Sequence, residues 1–156
     1  VADVAPGVCY GRLDVPVTDQ AAVASLVARL AGRGGTVWTS PAQRCRVVAD
    51  AIGAAVVDQR LQELDFGDWE GLAWDDVPRA ALDAWAADVA GFAPPGGESG
   101  TALIARVSAF TSALPSGDHV VVTHGGPLKV LTALLRSLPV DLLAPPPAMG
   151  SITLIG

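Results

Sequence analysis

Apolar positions recur along this chain at two spacings, and the alternation between them predicts its architecture. Val23, Leu26, Val27 and Leu30 stand at helical spacing within residues 19–33, and Gly34 and Gly35 end the pattern. The run TVWTS (36–40) is β-branched and aromatic, which predicts a strand. Ser40 and Pro41 then read as the N-cap and first turn of a helix that runs to about Gly53. AAVVD (54–58) reads as a second strand. Leu82, Trp85, Ala86 and Val89 mark a helix over 75–90, and Leu103, Ile104, Val107, Phe110 and Leu114 outline another. DHVVVT (118–123) is a continuous apolar run, the pattern of a strand buried on both faces of a sheet. It turns through HGGP into a helix over 127–138, and SITLI (151–155) is expected to add a final strand. Residues 1–18 and 92–100 are loop-like, and 59–72 break both periodicities. Strands alternating with amphipathic helices predict an α/β fold, a three-layer α/β/α sandwich around a mostly parallel sheet. No repeat or linker divides residues 1–156, so one domain is expected.

Composition narrows the function classes. Apolar residues make up 51% and the mean hydropathy is +0.43. No uninterrupted apolar stretch approaches the ~18 to 20 residues of a membrane span, so no membrane partner is expected. The net charge is −6, and Lys129 is the one lysine among scattered arginines. That pattern argues against a nucleic-acid partner, which needs clustered Lys and Arg. Cys9 and Cys45 lack metal-ligand spacing, and Cys45 shares an apolar stripe with Val48, Ala49 and Ile52, which predicts a buried thiol. With His119 and His124 the only histidines, no metal site is expected. VADVAPG has neither the charged nor the apolar region of a signal peptide, so a cytoplasmic location is expected.

Ligands of open α/β sheets gather at the carboxyl ends of the strands, and two junctions there carry candidate chemistry. In VVVTHGGPLKVL, His124 ends a strand and Gly125 and Gly126 open a helix whose first N–H groups and dipole suit an anion. The same junction also reads as an ordinary turn. In TVWTSPAQRCRVV, Arg44 lies in a first helical turn, where a cation opposes the macrodipole unless an anion compensates. A solvated Arg paired with a surface carboxylate is the alternative there. The third feature is LQELDFGDWEGL, where Glu63, Asp65, Asp68 and Glu70 are interleaved with Phe66 and Trp69. Aromatic shielding of one carboxyl would suit it to general acid work, whereas a solvated acidic loop would do nothing of the kind. Ser99 in GGESG follows prolines rather than a strand and is no nucleophile elbow.

Four ordered segments then resemble a known family. SPAQR (40–44), ELDFGDWEG (63–71), PGGES (95–99) and THGG (123–126) are similar to the motifs of the histidine phosphatases, the phosphoglycerate-mutase-like superfamily. CYGRLDVPV (9–17) looks most like the α-ribazole phosphatase branch, which serves cobalamin biosynthesis. The resemblance implies a metal-independent, cofactor-free phosphomonoesterase working through a phosphohistidine on α-ribazole-5'-phosphate or a similar small phosphorylated substrate. It implies Glu63 as proton donor to the leaving alcohol and His124 as the second active-site histidine. Arg44, the Gly125 N–H and the backbone of Gly11 become phosphate ligands. The family's opening R-H-G or R-H-A motif, which carries the nucleophile, does not occur in these residues. The expectation is therefore an N-terminally truncated domain that lacks the family's first central strand and does not turn over. An open strand edge would also invite an edge-paired homodimer. A non-catalytic phospho-ligand binding module and a phosphoglycerate mutase are the alternatives.

Overall fold

A computed structural model describes residues 6–156; the part of the expected N-terminal loop that falls on residues 1–5 lies outside them. Helix α1 spans Gln20–Leu30, strand β1 Thr36–Thr39, helix α2 Gln43–Ile52 and strand β2 Ala55–Val57. Helices α3 (Arg79–Ala87) and α4 (Gly100–Ser112) follow, then strand β3 (His119–Val122) and helix α5 (Gly125–Leu135). Short 3-10 turns at Gln59–Leu61, Gly67–Trp69 and Trp74–Asp76 occupy the stretch that broke both periodicities.

The three strands form one parallel sheet in the order β2-β1-β3. Side chains alternate across it. Trp38 and Val121 pack on the main core, which α4 and α5 supply through Leu103, Val107, Phe110, Val130 and Leu131. Val37 points the other way, toward the end of α2 beside Gly53, and α1 packs on α2. This is the expected sandwich of helices on both faces of a parallel sheet. A second cluster of Cys9, Trp69 and Val77, with Trp74, Trp85 and Phe92 packed on it, sits under the loop of residues 63–77; Phe66 joins it to the main core. Among the described residues no helix is long and apolar enough to cross a membrane.

Three expectations are corrected. DHVVVT is not buried on both faces: β3 lies at the sheet edge and each of its residues is only partly buried. SITLI is not a strand. Its backbone has no ladder partner among the described residues; the Ser151 N–H donates to the Ala148 carbonyl and the Leu154 carbonyl accepts from Arg136. An apolar β-branched run becomes a strand only where an edge receives it. The N-cap of α2 is Ala42 rather than Ser40. Asp14, from a loop distant in sequence, caps the helix instead by accepting from the Gln43 N–H at 2.9 Å.

Candidate active site

The carboxyl ends of β1 and β3 deliver Ser40 and His124 to one place. His124 Nε2 lies 2.7 Å from Ser40 Oγ, and His124 Nδ1 accepts from Arg44 Nε at 3.3 Å. An arginine only donates, so Nδ1 is the bare nitrogen of the neutral ring, and the proton sits on Nε2 facing Ser40. Burial pushes the His124 pKa down to about 3, with the charges of Arg44 and Arg106 adding to it. The ring is therefore neutral at physiological pH. Cys45 Sγ lies 3.5 Å from His124 Nε2, and burial pushes this thiol up to about 12, so it is an inert wall of the site.

Arg44 is the second residue of α2, as the sequence placed it. Its terminal nitrogens donate to the Gly11 carbonyl at 2.5 Å and the Leu13 carbonyl at 2.8 Å, and its guanidinium stands 5.5 Å from the centre of the Tyr10 ring. Loop carbonyls and His124 thus engage the cation. Those carbonyls are themselves held in place. Glu70 accepts from the N–H groups of Gly11 at 2.8 Å, Arg12 at 2.9 Å and Leu13 at 3.0 Å, and from Phe66 at 3.1 Å. Gly11 has to be glycine, because a Cβ there would run into the Leu64 carbonyl and crowd Glu70.

Glu63 approaches from the opposite wall. Its Oε1 accepts from Leu64 N–H at 2.9 Å and Gly126 N–H at 3.1 Å, and Oε2 shares the Gly126 N–H at 3.2 Å. The N-terminus of α5, read from sequence as an anion site, is thus partly filled by the protein's own carboxyl. Gly126 permits the approach, since any Cβ would collide with Glu63 Oε1. Burial raises the Glu63 pKa, opposed by the N–H groups of Leu64 and Gly126 and by Arg44 and Arg106. Phe66 and Trp69, interleaved with the carboxylates, pack on other rings, Trp69 on Trp85 and Phe92 and Phe66 on Trp74 and Trp85.

A cavity of about 110 Å³ opens between these groups, lined by Gly11, Arg12, Asp14, Ser40, Gln62, Glu63 and His124 among others. The structure therefore brings Gly11, Glu63 and His124 onto one cavity. Gly125 stands beside Glu63, and among the described residues none accepts its N–H. Arg44 hydrogen-bonds to two of the lining residues, His124 and Gly11. Asp65 and Glu98 sit at the rim, paired with Arg12 at 3.2 and 3.4 Å. The other histidine lies elsewhere: His119 accepts from Trp38 Nε1 and faces the Pro115 carbonyl.

Sequence reasoning missed three contributors. Ser40 was read only as a cap, although its place at a strand end was signal enough. Glu70 could not be told from its acidic neighbours. Arg106 went unremarked, although a charged residue between Leu103 and Val107 on a buried helical stripe is an anomaly that asks for a partner.

The family model described as histidine phosphatase superfamily (branch 1) matches residues 3–155. A glucosyl-3-phosphoglycerate phosphatase of Mycolicibacterium vanbaalenii is 32% identical over 152 residues, covering 84% of this chain and 68% of its own length. A glucosyl-3-phosphoglycerate phosphatase of Mycobacterium tuberculosis is 38% identical over 112 residues, 62% of this chain and 48% of that protein. The chain thus spans between about half and two thirds of the length of these relatives. Among solved structures, an Escherichia coli protein provisionally assigned as an alpha-ribazole-5'-P phosphatase superposes with a TM-score of 0.79 at 26% identity, covering 86% of this chain and 73% of that one.

Proposed function

The chain belongs to the histidine phosphatase superfamily (branch 1), and from that membership we propose that the full-length protein hydrolyses small phosphomonoesters through a phosphohistidine, without a metal. The observation that carries the reading is Glu63, a buried carboxyl with a raised pKa that faces a phosphate-sized cavity across from a neutral His124. A carboxyl whose pKa burial raises is better suited than a solvated one to give a proton to a leaving oxygen.

In the first half-reaction a histidine nitrogen attacks phosphorus, the ester P–O bond breaks, and the leaving oxygen takes the Glu63 proton. Oε1 accepts from Leu64 and Gly126 and Oε2 only shares the Gly126 N–H, so Oε2, the freer oxygen, is the one that delivers it. In the second, water attacks phosphorus, Glu63 takes the water proton and the P–N bond breaks to release inorganic phosphate. His124 and the Gly125 N–H hold the phosphoryl oxygens beside the Gly11 backbone, and Arg44 joins them by leaving its loop carbonyls. Positioned donors of this kind neutralise charge on the equatorial oxygens. The attacking histidine is that of the family's R-H-G or R-H-A strand, which residues 1–156 do not contain. On this reading the 156-residue chain holds phosphate but does not turn over.

The small cavity takes the phosphate, and the alcohol lies at its mouth among Arg12, Asp14 and Gln62, polar groups that suit a hydroxylated leaving group. α-Ribazole-5'-phosphate is the first substrate to test, with glucosyl-3-phosphoglycerate beside it. Full-length protein is expected to release phosphate from one of these, and Glu63→Gln to lower kcat about 10²- to 10⁴-fold with little change in KM. A panel of phosphomonoesters on which the full-length protein shows no turnover, while phosphate still binds, would replace the enzyme with a phospho-ligand binding module. Interconversion of phosphoglycerates would make it a mutase.

A further inference from the structure

We propose that Arg106 is the positioning residue that aims Glu63 for proton delivery; the proposal rests on the reading of Glu63 as the proton donor. Residues 60–63 lead from a single 3-10 turn into the site with no ladder to support them, yet their carbonyls are all held. Arg106 NH1 donates to the carbonyls of Arg60 and Gln62, each at 2.7 Å, and NH2 to the carbonyl of Glu63 itself at 3.0 Å. Thr123 Oγ1 takes the remaining one, Leu61, at 2.7 Å. Glu98 receives the other two Arg106 donors, Nε at 3.1 Å and NH2 at 2.5 Å. An arginine has five N–H groups, and here all five have partners around the residue that carries the carboxyl.

The arrangement fixes both ends of Glu63. Arg106, on α4, holds its backbone carbonyl, while α5, packed against α4, holds its side chain through the Gly126 N–H. Thr123 precedes His124, so the same clamp ties the proton donor to the phosphate-binding histidine. A planar fork can span three carbonyls that no point charge can, so lysine is not an equivalent here. General acid catalysis depends on a heavy-atom approach of about 3 Å, which a slack turn would spoil while leaving phosphate binding alone.

The test uses leaving groups, because a structural role would not discriminate among them. In the full-length protein, kcat/KM, which reports the first half-reaction alone, is measured on alkyl phosphates, whose alkoxide needs a proton, and on p-nitrophenyl phosphate, whose phenolate does not. Arg106→Lys is expected to lower kcat/KM on alkyl phosphates by about tenfold or more, with that on p-nitrophenyl phosphate changed less than about threefold. Added to Glu63→Gln it should do almost nothing further. Glu98→Gln, which loosens the fork but leaves the carbonyls engaged, should show the same selectivity at smaller size, and decides the matter if Arg106→Lys does not fold. An equal loss on both substrate types, with Glu63→Gln still selective, would overturn the proposal alone. A Glu63→Gln variant without selectivity would remove the proton-donor reading and the proposal with it.

Discussion

His124 and Glu63 face the same cavity, and burial drives their protons in opposite directions. For His124 the folded pKa of about 3 lies below the ordinary 6.5, so between those values unfolding takes up a proton. Its contribution to stability is complete above about pH 6.5 and is lost as the pH falls toward 3. Glu63 has the reverse sign: its folded pKa is raised above 4.5, so its contribution is present at low pH and lost as the pH rises through the folded value. Urea unfolding at pH 4, 5, 6 and 7 separates the two, being a window on the order of the shifts involved. His124→Asn should weaken the protein at every pH, since Ser40 and Arg44 lose a partner, yet its stability should fall less steeply below pH 6.5 than that of the parent. A variant with the parent's slope would mean that His124 is not the buried neutral group described.

The loop of residues 10–14 shows how an element without regular structure is made rigid. Its N–H groups converge on Glu70 and its carbonyls on Arg44, so two side chains replace the ladder that a strand would have had. Hydrogen bonds to a charged acceptor contribute about 1.5 to 3 kcal/mol each when buried, less where the loop is exposed. Glu70→Ala is therefore expected to destabilise by about 2 to 3 kcal/mol and to weaken phosphate binding, because Gly11 loses its anchor. Trypsin should then cut after Arg12 much faster than in the parent, and an unchanged rate would show that Arg44 suffices alone. None of this was legible in the sequence. The helices α1 to α5 were, through their helical spacing, and the three strands were, through their β-branched and apolar composition. Glu70 and Arg106 act on backbone atoms far away in the chain, and no local pattern records which carbonyl or N–H a charged side chain will reach. Glu63 and Gly11 were assigned by resemblance, and His124 and Arg44 stood out by their places at strand-to-helix junctions; where their hydrogen bonds go needed the fold.

At the scale of the molecule, the departure with the largest consequence is the place of β3. The sequence pattern suits a strand covered on both sides, but in the order β2-β1-β3 only one side is paired among the described residues. Thr36 N–H on the Asp118 carbonyl and Ser40 N–H on the Val122 carbonyl turn the even-numbered peptide groups of β3 toward β1. Those of His119 and Val121 therefore face outward, a parallel edge made of apolar residues. Amide exchange on the 156-residue chain tests this residue by residue. Val120 and Val122 should be protected, and Val121 should exchange close to the free rate at low concentration. Protection of Val121 that grows with protein concentration would identify a homodimer paired through this edge, a partner that such a surface invites. If Val121 is protected in the full-length protein at every concentration, another part of that protein lies along the edge. The strand would then be covered on both sides, as its composition suggests, and the sheet would gain a fourth member next to the strand that delivers His124. Equal protection of all three valines in the dilute 156-residue chain would contradict the edge position of β3.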